Sequence, residues 1–268
     1  MDSTLTKKVL AVGAHPDDIE FVMSGTLFLL KDRGYEVHYL NVANGSCGSA
    51  RLGARAIARI RRKEAMAAAR SMGAIYHESL SNDIEVFYEK RLLAKIGAIV
   101  RQVAPDIILT HGPADYMEDH ANACRLTVTA AFCRGMRNFP VDPAVPPTQQ
   151  PVAVYHAQPY GNRDGLGRLV LPDLFVNVES VLERKKEMLA LHRSQKDWLD
   201  ESQRVDSYLE AMEDLGREVG RLSRKYRMAE GWTRHNPLGF SKPGHDPLVA
   251  ALKKDGRLVL PRHAGRRL

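Results

Sequence analysis

Short apolar runs alternate with longer amphipathic segments over the first 135 residues of the chain. The runs at 7–14, 36–43 and 105–111 predict β-strands, and IYHESL predicts a shorter one. Helical spacing of apolar residues predicts helices over 20–33, ARIRRKEAMAAARSM, LLAKIGAIVRQV and from Asp119 to about Arg134. This alternation is typical of an α/β fold, and we expect a Rossmann-like, mostly parallel sheet with helices on both faces.

A proline-rich stretch at 138–151 separates this region from a second, smaller one. The second region contains two predicted strands, VAVYHA and LFVNV, and predicted helices at about 179–193 and 201–226. We expect it to form a C-terminal cap on the first region, so that residues 1–240 make a single domain and 241–268 a basic tail.

Composition and charge narrow the possible classes of protein. The chain has 268 residues, of which 44% are hydrophobic, enough to build a core. No apolar run approaches the roughly 18 residues of a membrane span, and MDSTLTKK does not begin a secretory signal. We therefore expect a cytoplasmic protein that has no membrane partner. The three cysteines, Cys47, Cys124 and Cys133, are widely spaced and do not suggest a disulfide framework.

Part of the net charge of +7 comes from basic residues near the C-terminus. No nucleic-acid-binding motif accompanies these basic residues, and aromatic residues are sparse there. We interpret this segment as a solvated tail and expect no nucleic-acid partner. An anionic substrate would explain a modest basic bias equally well.

The segment AHPDD, at 14–18, places metal-ligating side chains at the predicted end of the first strand. In parallel sheets, ligands bind beyond the carboxyl ends of the strands. His15 and Asp18 are spaced to reach one ion, and His120 follows another strand end as a third ligand, which leaves a position for water. Asp17 would then take a proton from the metal-bound water that acts as the nucleophile. The alternative is that Asp17 or Asp18 merely caps the following helix.

Several segments together resemble the PIG-L/LmbE-like N-acetylglucosaminyl deacetylases. They are AHPDDIE, GTLFLLKDRGYEV, RRKEAMAAARSMGA, APDIILTHGPADY, DHANACRL, LALHRSQ and AEGWTR. The resemblance covers residues 7–240. The resemblance implies a zinc hydrolase that removes acetyl groups from N-acetylglucosamine-type or related N-acylated sugar conjugates. It also implies a small-molecule acetamido-sugar substrate and a homo-oligomer, either a trimer or a hexamer.

By the same resemblance, His15, Asp18 and His120 are the metal ligands and Asp17 is the general base. Arg61 matches an arginine that contacts the substrate or the developing oxyanion, and its neighbour Arg62 is the alternative register. His192 matches a histidine that stabilises the tetrahedral intermediate or protonates the leaving amine. Zn²⁺ is the expected ion, although such a donor set also holds Fe²⁺, Mn²⁺ or Co²⁺.

Met117 departs from the family pattern, in which a histidine often lies three residues before the last ligand. Methionine cannot carry a proton, so His192, His111 or His156 is the candidate for that role, with His192 ranked first. The alternative is that activity on the usual sugars is weak or that the substrate differs. Asp119 is predicted to orient His120.

Three other functions compete with a deacetylase. A nucleotide-binding module is disfavoured because HPDD stands where GxGxxG would be expected, and a serine hydrolase because the chain has no GxSxG. A non-catalytic metal-binding relative that binds a sugar or a nucleotide-like ligand remains the alternative.

Overall fold

The structure, a computed structural model, describes residues 6–195 and 208–260. Its strands are β1 (Lys8–Gly13), β2 (Glu36–Asn41), β3 (Ile75–His77), β4 (Ile107–Thr110), β5 (Ala153–Ala157), β6 (Leu174–Asn177), β7 (Ala229–Arg234) and β8 (Leu258–Val259). Within the described ranges they form one sheet in the order β3–β2–β1–β4–β5–β7–β6–β8. The four pairings from β3 to β5 are parallel, and the remaining three are antiparallel.

Helices cover both faces of this sheet. They are α1 (Asp18–Val22), α2 (Ser24–Lys31), α3 (Ala54–Met72), α4 (Lys90–Val103), α5 (Glu118–Cys133), α6 (Leu182–Leu189), α7 (Tyr208–Ser223) and α8 (Pro247–Leu252). Two large apolar clusters result: one contains Leu27 of α2, and the other contains Ile96 of α4. The predicted α/β class is thus confirmed. Across the part of the chain that the structure describes, no helix is both long and apolar enough to span a membrane.

The register of β1 sets the position of the candidate site. Val12 of β1 pairs with Thr110 of β4, and Gly13 pairs with Asn41 of β2. Because these neighbouring strands are parallel, the residues that follow them emerge at the same edge of the sheet. His15 and His111 are therefore brought together, although they are far apart in the sequence.

The single helix expected over 20–33 is two helices, which separate at Met23. Glu230 of β7 explains the break, since its buried carboxylate accepts the N–H groups of Gly25 at 2.9 Å and Thr26 at 2.7 Å. These donors have no partner within a helix that begins at Ser24. The Glu230 carboxylate also accepts a 2.5 Å hydrogen bond from Lys185, which is equally buried.

The C-terminal region extends the sheet instead of forming a cap apart from it. β6 to β8 continue the sheet beyond β5, and Leu248, Leu252 and Leu258 are buried in the core. The tail predicted at 241–268 therefore begins inside the fold, because residues 247–252 and 258–259 are helix and strand. Residues 261–268, and the predicted start of the 201–226 helix, lie outside the described residues.

Substituting Glu230 by glutamine tests this buried contact. Glu230→Gln leaves the ammonium of Lys185 buried without its charge partner, and we expect it to lower the free energy of unfolding by about 3 kcal/mol. Urea titration followed by circular dichroism measures the loss. Glu183→Gln is the control, because the Glu183 side chain is 79% exposed and its loss should cost less than about 0.5 kcal/mol. Equal effects of the two substitutions would contradict this interpretation.

Candidate active site

The three predicted metal ligands converge at the edge formed by β1 and β4. His15 Nδ1 lies 3.6 Å from one carboxylate oxygen of Asp18, and His120 Nε2 lies 3.4 Å from the other. One ligand atom from each of the three residues falls within a common span of 4.8 Å. Two imidazoles and a carboxylate at such separations form a donor set that suits a divalent transition metal.

A second carboxylate holds the far nitrogen of each histidine. His15 Nε2 lies 2.9 Å from Asp119, and His120 Nδ1 lies 3.0 Å from Asp115. Carboxylates in this position fix the ring orientation and the tautomer of a metal-binding histidine. The prediction that Asp119 orients His120 is therefore wrong: Asp119 orients His15 and Asp115 orients His120, because the carboxylate of Asp119 faces β1 across the site.

The site carries an excess of negative charge. Burial disfavours protonation of both histidines, but the adjacent carboxylates outweigh it and raise the pKa of His15 to about 9 and that of His120 to about 10. Surroundings that favour a cation on two buried imidazoles also favour a divalent ion between them. The residues present therefore fit a metal.

His111, Asp115 and His120 form a second group with ligand atoms close enough to share an ion. His111 Nε2, however, already accepts the N–H of Ala14 at 2.9 Å. One oxygen of Asp115 is bound to His120, and its other oxygen has no hydrogen-bond partner among the described residues. The first group is the better metal site, because His15 Nδ1 and His120 Nε2 both lie near the carboxylate of Asp18 while the other nitrogen of each ring is held by a second carboxylate.

Asp17 precedes α1 in a left-handed conformation (φ 111°) and makes no capping hydrogen bond to the helix. Its carboxylate instead lies 3.3 Å from Arg61 and accepts a 2.7 Å hydrogen bond from the hydroxyl of Tyr208. Burial raises the pKa of Asp17, and the neighbouring Asp18 adds to this effect while Arg61 opposes it. The capping alternative fails for Asp17, and a carboxylate with a raised pKa suits a general base.

Of the two neighbouring arginines, Arg61 is the one that faces the cavity. Its side chain is buried, lines the cavity over the candidate ligands and donates to the carbonyl of Pro16. Arg62 faces the surface, where it pairs with Glu78. The guanidinium of Arg61 thus places a positive charge in the wall of the cavity.

His192 lies near the site but is fully buried. It forms an ion pair with the buried Glu20 at 3.2 Å. Arg61, Asp17 and Gln195 line the cavity, whereas His192 does not. Burial opposes protonation of His192, but Glu20 and Asp17 raise its pKa. This places His192 behind the cavity wall.

The cavity has a volume of about 310 Å³, which suits a small molecule. His15, Asp17, Asp18, Arg61 and His120 line it together with Met117, the residue that replaces the expected histidine. His156, another suggested substitute, is buried with its ring nitrogens bonded to the carbonyl of His111 and to His235.

Comparison with known proteins bears on this site. Residues 10–131, which include His15, Asp17, Asp18, Arg61 and His120, match the family model described as PIG-L, GlcNAc-PI de-N-acetylase. This part of the chain is therefore similar to a PIG-L family domain.

The curated relatives of this protein have names that denote different reactions. It is 28% identical over 199 residues to diacetylchitobiose deacetylase of Thermococcus kodakarensis, covering 70% of each chain. It is 29% identical over 194 residues to 4-oxalmesaconate hydratase of Pseudomonas putida, covering 68% of this chain and 72% of the relative. The N,N'-diacetylchitobiose deacetylase of Pyrococcus horikoshii has the same fold, with a TM-score of 0.72 at 24% identity over 89% of this chain and 87% of that one.

Three contacts around the candidate site are not evident from the sequence. Tyr208 reaches Asp17 from α7, which carries no signal that links it to AHPDD. Asp115 resembles an ordinary loop residue, although its spacing of five from His120 is a usable signal. Glu20 lies two residues after Asp18 and follows the same motif, yet only the fold shows its pairing with His192.

Substitutions should show which of the two groups binds the ion: His15, Asp18 and His120, or His111, Asp115 and His120. We expect His15→Ala and His120→Ala to abolish binding of zinc, and Asp115→Asn to weaken it about 10- to 100-fold because Asp115 acts through His120. Elemental mass spectrometry after dialysis against buffered zinc gives the stoichiometry.

The control is Glu118→Gln, because Glu118 lies on the same turn of α5 but bonds to Asn122. It should retain wild-type binding. Binding that survives His15→Ala and disappears in Asp115→Asn would assign the ion to the second group.

Proposed function

We propose that this protein is a metal-dependent amide hydrolase that removes the acetyl group from an N-acetylglucosamine-type or related N-acylated sugar conjugate. The observation that carries the proposal is the carboxylate of Asp17, poised in one cavity beside the three converging donors of His15, Asp18 and His120. The description of the matching family and the name of the Thermococcus relative support the choice of an acetamido sugar.

His15, Asp18 and His120 would hold the divalent ion, with Zn²⁺ expected from the donors and Fe²⁺, Mn²⁺ or Co²⁺ as alternatives. When bound, such an ion polarises an amide carbonyl and lowers the pKa of an attacking water.

Asp17 is the proposed general base. It accepts a proton from water as the oxygen attacks the acetyl carbon, and its raised pKa makes it a competent acceptor near neutral pH. Arg61 and Tyr208 hold the two oxygens of this carboxylate, so its direction is fixed before substrate binds. The guanidinium of Arg61 also offsets the negative charge that develops on the carbonyl oxygen.

The leaving amine needs a proton, which Met117 cannot supply. We propose that Asp17 returns the proton that it accepted from water, because it is already in the cavity. His192 stays a predicted contributor, acting from behind the wall through its charge on Asp17. The products are then acetate and the free amino sugar. Homo-oligomerisation and a cytoplasmic location remain proposals from the sequence.

Hydration of a carbon–carbon double bond is the second candidate. The similarity to a hydratase is as strong as that to a deacetylase, and hydration needs no proton on a leaving amine, which suits Met117. Release of acetate from N-acetylglucosamine or N,N'-diacetylchitobiose supports the first candidate. Loss of ultraviolet absorbance by an unsaturated oxo-carboxylate, without acetate release, supports the second.

Asp17 and Tyr208 should act as one unit in this reaction. Asp17→Asn is expected to lower kcat about 10²- to 10⁴-fold with zinc retained, and Tyr208→Phe about tenfold, since the phenol donor is lost while the ring stays packed on Phe21. In the double variant, Tyr208→Phe should add little to the loss from Asp17→Asn. Acetate release measures all three. Fully multiplicative losses would show that Tyr208 does not act through Asp17.

A further inference from the structure

Ile84 has an unusual backbone for its side chain. Its φ is 62°, in the left-handed region that a β-branched residue rarely adopts. Its side chain is 63% exposed and lines the catalytic cavity. The protein thus combines a strained backbone with an exposed isoleucine at one point on the wall of its site.

The contacts of the surrounding loop explain the backbone conformation. The N–H of Ile84 donates at 2.7 Å to Asp119, which orients His15. The carboxylate of the preceding Asp83 accepts the N–H groups of Gly45 at 2.7 Å and Cys47 at 2.8 Å. These bonds require only the backbone of residue 84, and glycine would satisfy them without strain. They do not explain why the residue is isoleucine.

Other apolar and aromatic side chains line the same cavity. The ring centroid of Tyr116 lies 5.5 Å from that of His120 and 6.1 Å from that of Tyr160. The ring centroid of Tyr160 lies 5.7 Å from that of Phe21. Tyr116 is 49% exposed and Tyr160 is 42% exposed. Met117 completes this surface where the sequence pattern leads one to expect a histidine. We call Ile84, Tyr116, Met117 and Tyr160 the apolar wall.

We propose that the apolar wall binds an alkyl or aryl group of the substrate, adjacent to the amide that is cleaved; this rests on the proposed function. The wall is continuous with the ligands and with Asp17 in one cavity, so a molecule positioned for cleavage extends along it. An acetamido sugar without such a group would leave Ile84 in water. The substrate is therefore an N-acylated amino sugar that carries an apolar substituent.

Two model substrates test where this substituent is attached. Hexyl N-acetyl-β-D-glucosaminide carries it on the sugar, and N-hexanoylglucosamine carries it on the acyl group. N-Acetylglucosamine is the reference. The measured quantity is kcat/KM for each hexyl compound divided by that for the reference, with release of the free amine as the common assay.

In the wild type we expect one of the two ratios to exceed one. Ile84→Gly keeps the N–H bond to Asp119 and removes the backbone strain. It should lower that ratio about fivefold to tenfold, because the variant lacks the apolar side chain that the substituent would cover. Ile84→Asn, which tolerates the left-handed conformation, should act in the same direction. Phe87→Ser is the control: Phe87 is 59% exposed but does not line this cavity, and its ratio should match the wild type.

Equal ratios in the wild type and both Ile84 variants would overturn the inference and leave the proposed function intact. If the wild type cleaves none of the compounds, the proposed function fails. Calorimetric titration with hexyl N-acetyl-β-D-glucosaminide then tests whether the apolar wall binds an alkyl group. An affinity that falls at least fivefold in Ile84→Gly supports binding by the apolar wall, and an unchanged affinity overturns it. A change of oligomeric state in Ile84→Gly by light scattering, with equal ratios, would assign Ile84 to a contact between copies of the chain.

Discussion

The parallel pairing of β1 with β4 is the constraint on which the site depends. It brings His15 and Asp18, which follow β1, against Asp115 and His120, which follow β4. Each histidine then has one nitrogen turned toward Asp18 and the other held by a carboxylate from the β4 side. The metal donors are thereby oriented by the protein itself, so little reorganisation is needed when an ion binds.

The proposed function relies on groups that oppose stability. Asp17 has a left-handed backbone, and Glu20 and His192 are ionisable groups removed from water. Such groups persist because neighbouring contacts over-determine them, as Arg61 and Tyr208 do for Asp17. The Glu230–Lys185 pair at the start of α2 stabilises the adjacent part of the fold, since it connects β7, α2 and α6 in a buried environment.

The sequence alone anticipated the first six strands, the α/β class and the meeting of His15, Asp18 and His120, because hydrophobic periodicity and strand ends are local signals. It did not anticipate that residues 20–33 form two helices, since the cause is Glu230, some 200 residues away. The same limit applies to the contact of Tyr208 with Asp17 and to the antiparallel extension by β7 and β8. Periodicity places elements along the chain, whereas these contacts depend on which elements become neighbours.

The coordination of the metal is the most direct test of this account. Zinc-edge X-ray absorption spectroscopy of the zinc-loaded protein, in the wild type and in His15→Ala, reports the number of imidazole ligands. We predict two imidazoles and oxygen donors in the wild type, with one imidazole or no bound zinc in the variant. A spectrum with two imidazoles that His15→Ala leaves unchanged would place the ion on His111 and His120, and would contradict the arrangement around Asp18.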